Sequence, residues 1–168
     1  MAHPKQVEKA KLFVGVMYPK GTNLKKILDE LIKKYGIISI ESEEIPFTFT
    51  SYYAPEMGEN IVKKFFVFKK PIDRSKIGEV KIFTNKLEDD CSIDGKRTFN
   101  LDPGYVNKTQ LVLASAKENA NKIYLGKGMF AHLTYTYSNK QWMPAERCFP
   151  DFKSDEVRAF FIKVRENV

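Results

Sequence analysis

The sequence predicts an α+β domain: a mixed, mostly antiparallel sheet with about three helices packed against it. Three observations carry that prediction. Apolar residues repeat with the period of strands in some segments and of helices in others. Strand-like segments follow one another without a helix between them, at 37–68 and again at 98–137, which excludes a regular βαβ array. The 168 residues, 43% hydrophobic and 29% charged, suit one core. At that length folding removes roughly two-thirds of the chain's accessible surface, so neither a disulfide nor a structural metal is needed. Residues 1–168 therefore read as one globular domain, with 1–10 as a flexible N-terminal tail.

Leu12, Phe13, Val14, Val16 and Met17 make a compact apolar run that ends at Tyr18-Pro19-Lys20-Gly21, a buried strand entering a turn. Thr22 or Asn23 can cap the next segment, where Leu24, Ile27, Leu28, Leu31, Ile32 and Tyr35 fall at helical spacing before Gly36 stops the helix. A second strand is expected at 37–40. A third is expected at 47–53, where Phe47, Phe49, Ser51 and Tyr53 alternate with Thr48, Thr50 and Tyr52, and a fourth at 61–68. Ile77, Val80, Phe83 and Leu87 form one stripe of a helix over 74–88, and 91–97 reads as a polar loop. Short strands follow at 98–101 and 110–115, with Asp102-Pro103-Gly104-Tyr105 between them as a β-turn. Strands at 123–125 and 129–137 flank the turn Gly126-Lys127-Gly128. Trp142 falls in a polar loop, where packing onto the sheet is preferred to covering a ligand. After Pro150 a last helix begins, with Ser154 as its cap, Asp155 and Glu156 in the first turn, and Val157, Phe160, Phe161 and Val164 as its buried stripe.

The charge balance narrows the partners. The net charge is +7, yet residues 1–90 hold 16 basic against 13 acidic side chains and 91–168 hold 12 against 8, so the excess is spread along the chain. Lysine outnumbers arginine 23 to 5, whereas bidentate recognition of phosphate and guanine favours arginine. A solvated lysine-rich surface is preferred to a nucleic-acid interface. Cys91 and Cys148 lack metal-ligand spacing, and with no apolar stretch of membrane-spanning length and a polar first segment the expectation is a cytoplasmic protein.

Three stretches are near misses to a GTPase. Gly15-Val16-Met17-Tyr18-Pro19-Lys20-Gly21-Thr22 has the glycine and lysine of a phosphate loop exchanged, and Pro19 removes an N–H that a phosphate cradle would use. Asn85-Lys86-Leu87-Glu88 is one methylene away from a guanine-reading tetrad but lies within the second helix. Asn100 to Gly104 comes after that tetrad instead of before it. Ordinary turns and helix surface account for all three.

Five blocks are less generic: Tyr52-Tyr53-Ala54-Pro55-Glu56-Met57-Gly58, Lys81-Ile82-Phe83-Thr84-Asn85, Asn100 to Val106, Leu111 to Lys117, and Ile123-Tyr124-Leu125-Gly126-Lys127-Gly128. In this order they resemble the bacterial domain-of-unknown-function family 4416, over nearly the whole chain from Leu12 to Arg165. The family has no established activity, and some members carry a GTP-binding label, which the degraded motifs above do not support: the expectation is that this chain is not a P-loop GTPase. Where the family typically has His-Arg before its Ile-Tyr-Leu-Gly-Lys-Gly, this chain has Asn121-Lys122. Where the family has an acid, this chain has His132, and the family's Trp-Thr-Tyr-Pro-Asp-Tyr stands here as Arg147 to Phe152. Matching polar positions are Glu56, Lys81, Asn85, Asn100, Asp102, Tyr105, Lys117, Tyr124, Lys127 and Asp151.

Two readings of these positions stay open. In one, Asp102 and Asp151 are turn or helix-cap acceptors and Asn100 is a satisfied loop residue. In the other, a site for an anionic, phosphorylated or nucleotide-like small molecule forms where the turn at 102–105 meets Gly126-Lys127-Gly128. There Asp102, Tyr105 and Glu56 would be the catalytic groups, and Lys127, Gly126, Gly128, Lys117, Lys81 and Asn85 would hold the ligand, with magnesium as a cofactor that a carboxylate could bind. An RNA- or protein-interaction module using lysines and the aromatics Tyr52, Tyr53, Tyr135 and Tyr137 is the alternative. His132, beside Thr134 and Thr136, reads as a solvated or hydrogen-bonded residue of a polar strand face.

Overall fold

The computed structural model describes residues 1, 3, 5 and 7–168, so part of the expected N-terminal tail, residues 2, 4 and 6, lies outside the described residues. Nine strands form one sheet: β1 (Ala10–Pro19), β2 (Ile38–Glu41), β3 (Ile45–Pro46), β4 (Ile61–Ile72), β5 (Asn100–Val106), β6 (Gln110–Ser115), β7 (Ile123–Gly126), β8 (Met129–Ser138) and β9 (Gln141–Pro144). The path is β2-β4-β1-β5-β6-β8-β7, with β3 beside β4 and β9 beside β8, and every pair is antiparallel. The helices are α1 (Lys25–Tyr35), a single turn α2 (Ala54–Met57), α3 (Ile77–Asp90) and α4 (Asp155–Glu166). The architecture is the expected α+β.

The central strand β1 is apolar throughout because both of its faces are covered. Leu12, Val14, Val16 and Tyr18 join Ile27 and Leu31 of α1 and Ile77, Val80 and Leu87 of α3 on one face. Phe13 turns to the other, where Phe160 and Phe161 of α4 stack with Phe65, Phe152 and Tyr135. Such aromatic pairs each add about 0.5–1.5 kcal/mol beyond the area they bury. The ends of α1 and α4 follow their sequence signals. Asn23 Oδ1 accepts the Lys25 N–H at 2.9 Å, Gly36 ends α1 at φ 89°, and Ser154 Oγ accepts the Val157 N–H at 3.4 Å.

Four expectations need correction. Residues 47–53 are not a strand: β3 stops at Pro46, which lacks a ladder donor, and Phe47 and Tyr53 fold over Met17, Met57 and Ile61 as a separate apolar cap. Residues 102–105 are not a turn but the middle of β5, paired with β1 from Asn100 to Val106. A side chain at Gly104 would put its Cβ 2.6 Å from Val112 O and hard against the Phe13 ring, so this glycine allows close packing and not reversal of the chain. Trp142 lies on the unforeseen strand β9, 1% exposed and stacked on Tyr135, so its packing role holds. Residue 10, placed in the tail, already begins β1. Cys91 and Cys148 are unpaired thiols, and among the described residues no helix is long and apolar enough to cross a membrane.

Candidate functional site

The sheet comes apart at one place. β5 pairs with β6 through Gly104↔Leu113, Tyr105↔Val112 and Val106↔Leu111, and there the pairing stops. Beyond it, Asn100 and Asp102 pair only with β1, while Ala114 and Ser115 pair only with β8. Pro103, at the start of the divergence, has no N–H to offer a neighbour. The two backbone groups of Leu101 that a continued β6 would meet are satisfied from α3 instead: Lys81 Nζ donates to Leu101 O at 2.7 Å, and Glu88 Oε1 accepts the Leu101 N–H at 2.7 Å. The result is a cleft of about 360 Å³ between the diverging strands, reached by side chains from α3, from the loop before β5 and from the segment after β6.

Behind Asp102, which lines the cleft, lies a buried charged group. Lys63 on β4 is 4% exposed and donates to Asp102 Oδ2 at 2.9 Å and Asp151 Oδ2 at 2.7 Å. Burial opposes its charge, but the two carboxylates outweigh burial and raise its pKa above the ordinary lysine value. Asp102 shows the mirror behaviour: burial pushes its pKa up, and Lys63 and Lys81 together bring it below the usual aspartate value. Room for the ammonium comes from Gly15 on β1, where a Cβ would stand 2.8 Å from Lys63 Cε and 3.0 Å from the Phe65 ring. The glycine that opened the phosphate-loop-like stretch is therefore strand backbone, paired with Phe65 and Asp102, and its missing side chain accommodates Lys63.

Two carboxylates of opposite tendency flank Leu101. Glu88 is held above the ordinary glutamate range, first by burial and against the pull of Lys81, while Asp102 is held below its range. Around them, Arg97 Nε donates to Glu56 Oε2 at 2.6 Å and Arg97 Nη1 to Asn100 Oδ1 at 3.3 Å. The far wall carries Lys117, its Nζ 4.7 Å above the Tyr52 ring, and Lys122, whose Nζ donates to Ser115 Oγ at 2.7 Å and Lys117 O at 2.9 Å. Burial, and then Lys117, lower the Lys122 pKa. Phe149 closes this side, 5.3 Å from His132.

His132 is not on a solvated face. It is 5% exposed, and neither ring nitrogen has a hydrogen-bond partner among the described residues, because the chain after β9 folds over β8. Burial keeps its pKa low, with Lys122 adding to the effect.

Of the residues singled out from the sequence, the cleft gathers Lys81, Asn85, Asp102 and Lys117, with Glu56 behind Arg97. Lys81 is engaged with Leu101 and Glu88. Tyr105 is on the opposite face of β5 from Asp102, packed in the α1/α3 core with Arg74 near its ring. Gly126, Lys127 and Gly128 form the β7–β8 hairpin turn, with φ of 95°, 54° and 73°. β6 and β8 separate β7 from β5, a distance of about 14 Å at ordinary strand spacing, so the expected meeting of segment 102–105 with this turn does not occur. Lys63, Arg97 and Lys122 are not among the functional candidates of the sequence, and Glu88 enters there only as the last residue of the guanine-like tetrad. Lys63 did leave a signal: it shares strand parity with Phe65 and Val67, so a strand there turns its amine inward. Lys122 was visible only as the residue standing where the family resemblance places an arginine. Among the described residues, no three His, Cys, Asp or Glu side chains gather as a metal site.

The family model described as "Domain of unknown function (DUF4416)" matches residues 8–167. No curated protein matches the chain, and no solved structure does.

Proposed function

We propose that this chain, which belongs to the DUF4416 family, binds a small anionic molecule in the cleft between β5 and β6, as a binding protein or an enzyme, with a phosphate group as the best-fitting anion. The observation that carries this reading is a pair of lysines without counter-ions. Lys63, Lys81 and Arg97 each have a carboxylate partner, whereas Lys117 and Lys122 enter no ion pair among the described residues. Burial, and then the nearby Lys117, lower the Lys122 pKa, and an anion between the two lysines would favour the charged form. Ser115 Oγ, already bonded to Lys122, adds a hydroxyl at the same place. Across the cleft, Asp102 and Glu88 place carboxylates opposite the lysine pair.

A thermal-shift screen of inorganic phosphate, sugar phosphates, nucleotides and carboxylates, with and without Mg²⁺, tests this. A ligand at about a hundred times its Kd adds roughly 2.7 kcal/mol, which for a chain of this size raises Tm by about 5–10 °C. That rise is expected to vanish in Lys122→Ala and to persist in Lys127→Ala, whose lysine is on the distant hairpin. A screen without a stabilising anion, or one whose stabilisation survives Lys122→Ala, overturns the proposal. So does salt-sensitive binding of single-stranded RNA that phosphate esters do not compete away.

A further inference from the structure

We infer, building on the anion-binding reading above, that the ligand is a phosphate ester carrying adjacent hydroxyls, a sugar phosphate. The lysine pair defines only one end of the cleft. At the other end the ligand meets Asn100 and Asp102, two residues apart on β5 and therefore side by side on one face of the strand.

Asn100 is 5% exposed, and its orientation is fixed because Oδ1 accepts from Arg97. Its buried Nδ2 makes no well-formed hydrogen bond among the described residues, although it lies near enough to the Asp102 carboxylate to help lower that group's pKa, so it is a donor with room for an acceptor. Asp102 is the reverse case. Its carboxylate is kept ionised by Lys63 and its side chain remains 30% exposed, so it offers acceptor capacity to the cleft and no donor.

This donor and acceptor in register select the ligand's neutral half. A second phosphate or a carboxylate placed there would be repelled by Asp102, with Glu88 and Asp89 close behind it on the cleft wall. An alkyl chain would leave Nδ2 unsatisfied. A hydroxyl donates and accepts at once, so neighbouring hydroxyls can give a proton to Asp102 and take one from Asn100. Asn85 adds a further amide from α3, and Tyr53, close enough to Asp102 to feel its charge, supplies an aromatic surface for the carbon face of a sugar. The phosphate is then directed to the opposite wall, to Lys117, Lys122 and Ser115.

Isothermal titration of the full chain with ribose 5-phosphate, n-pentyl phosphate and inorganic phosphate separates the two halves of the site. Ribose 5-phosphate is expected to bind at least about tenfold tighter than pentyl phosphate, the worth of one or two well-made hydrogen bonds. In Asn100→Ala that advantage should shrink to under about threefold, while Lys122→Ala weakens both esters alike. If Asn100→Ala does not fold, the wild-type ratio alone decides. AMP carries the same ribose phosphate, so its affinity relative to ribose 5-phosphate tells whether the group arrives free or within a nucleotide. Equal wild-type affinity for the two esters, or an advantage undiminished in a folded Asn100→Ala, overturns the sugar-phosphate inference and leaves the anion seat standing. Binding of neither ester overturns the sugar-phosphate inference, and the anion seat then stands or falls with the wider screen of phosphate and carboxylates.

Discussion

Replacing Lys63 by Met removes one positive charge from between two carboxylates while keeping an unbranched stem along the Phe65 and Phe152 rings, which lie 5.4 and 5.3 Å from the ammonium. Asp151, 3% exposed, then has no counter-ion within the ion group, and Asp102 loses its nearest one. Removing one member of a buried ion group typically costs about 3–5 kcal/mol. At about 2–4 °C per kcal/mol for a domain of this size, Tm should fall by roughly 6–20 °C near neutral pH. The deficit has a definite pH dependence. In the wild type the folded Asp102 has a lowered pKa, so its contribution is present above the unfolded value of about 3.9 and is lost as pH falls through the folded one. In the variant, burial of Asp102 is no longer opposed by Lys63, so its folded pKa rises. The penalty is therefore felt above that raised value and disappears as pH falls through it. The two stability curves should converge between about pH 7 and pH 4. Urea unfolding of both proteins across that range measures it. A loss below about 1 kcal/mol near neutral pH, or a deficit that stays constant with pH, would show that these charges do not act as one group.

Two further outcomes follow from the same geometry. Gly104→Ala forces a Cβ against Val112 O and the Phe13 ring, and because the former is backbone the strands must shift. A loss of about 1–3 kcal/mol or more is expected in denaturant unfolding, and an unchanged midpoint would refute the close approach. Carbon-detected NMR titration should find Glu88 protonating above the ordinary glutamate value of 4.5 and Asp102 below the ordinary aspartate value of 3.8. Glu88 then costs stability as pH rises through its raised pKa, and Asp102 costs stability as pH falls through its lowered one. A reversed order of the two would refute the balance of burial and neighbouring charge described around Leu101.

What the sequence shows plainly is what repeats. β1, α1, α4 and the β7–β8 hairpin each have an apolar period and end in a cap or a glycine, and each folds nearly as read. What it hides depends on neighbours distant in the chain. The aromatic alternation at 47–53 imitates a strand, but no partner strand lies there and the rings close over Met57 and Ile61 instead. Asp102-Pro103-Gly104 has the composition of a turn. Its proline is tolerated where β6 departs and its glycine is needed where Phe13 approaches, and neither neighbour can be foreseen locally. The site was legible in its types and not in its assembly: Lys81, Asn85, Asp102 and Lys117 converge, but Lys127 is carried away by strand order, and the lysine paired with Asp102 lay within an apolar strand.

Lys81 and Glu88 are seven residues apart, two turns of α3, so they stand one above the other along about 10 Å of the helix axis. Each holds one backbone group of the same residue, Leu101. A helix held by two such anchors cannot roll: turning it by one residue, about 100°, would release both bonds together. The buried side of α3 includes Lys81, Thr84 and Glu88 among its apolar residues and would by hydrophobicity alone tolerate several angular settings. The frayed seam of the sheet thus acts as a protractor for the helix above it.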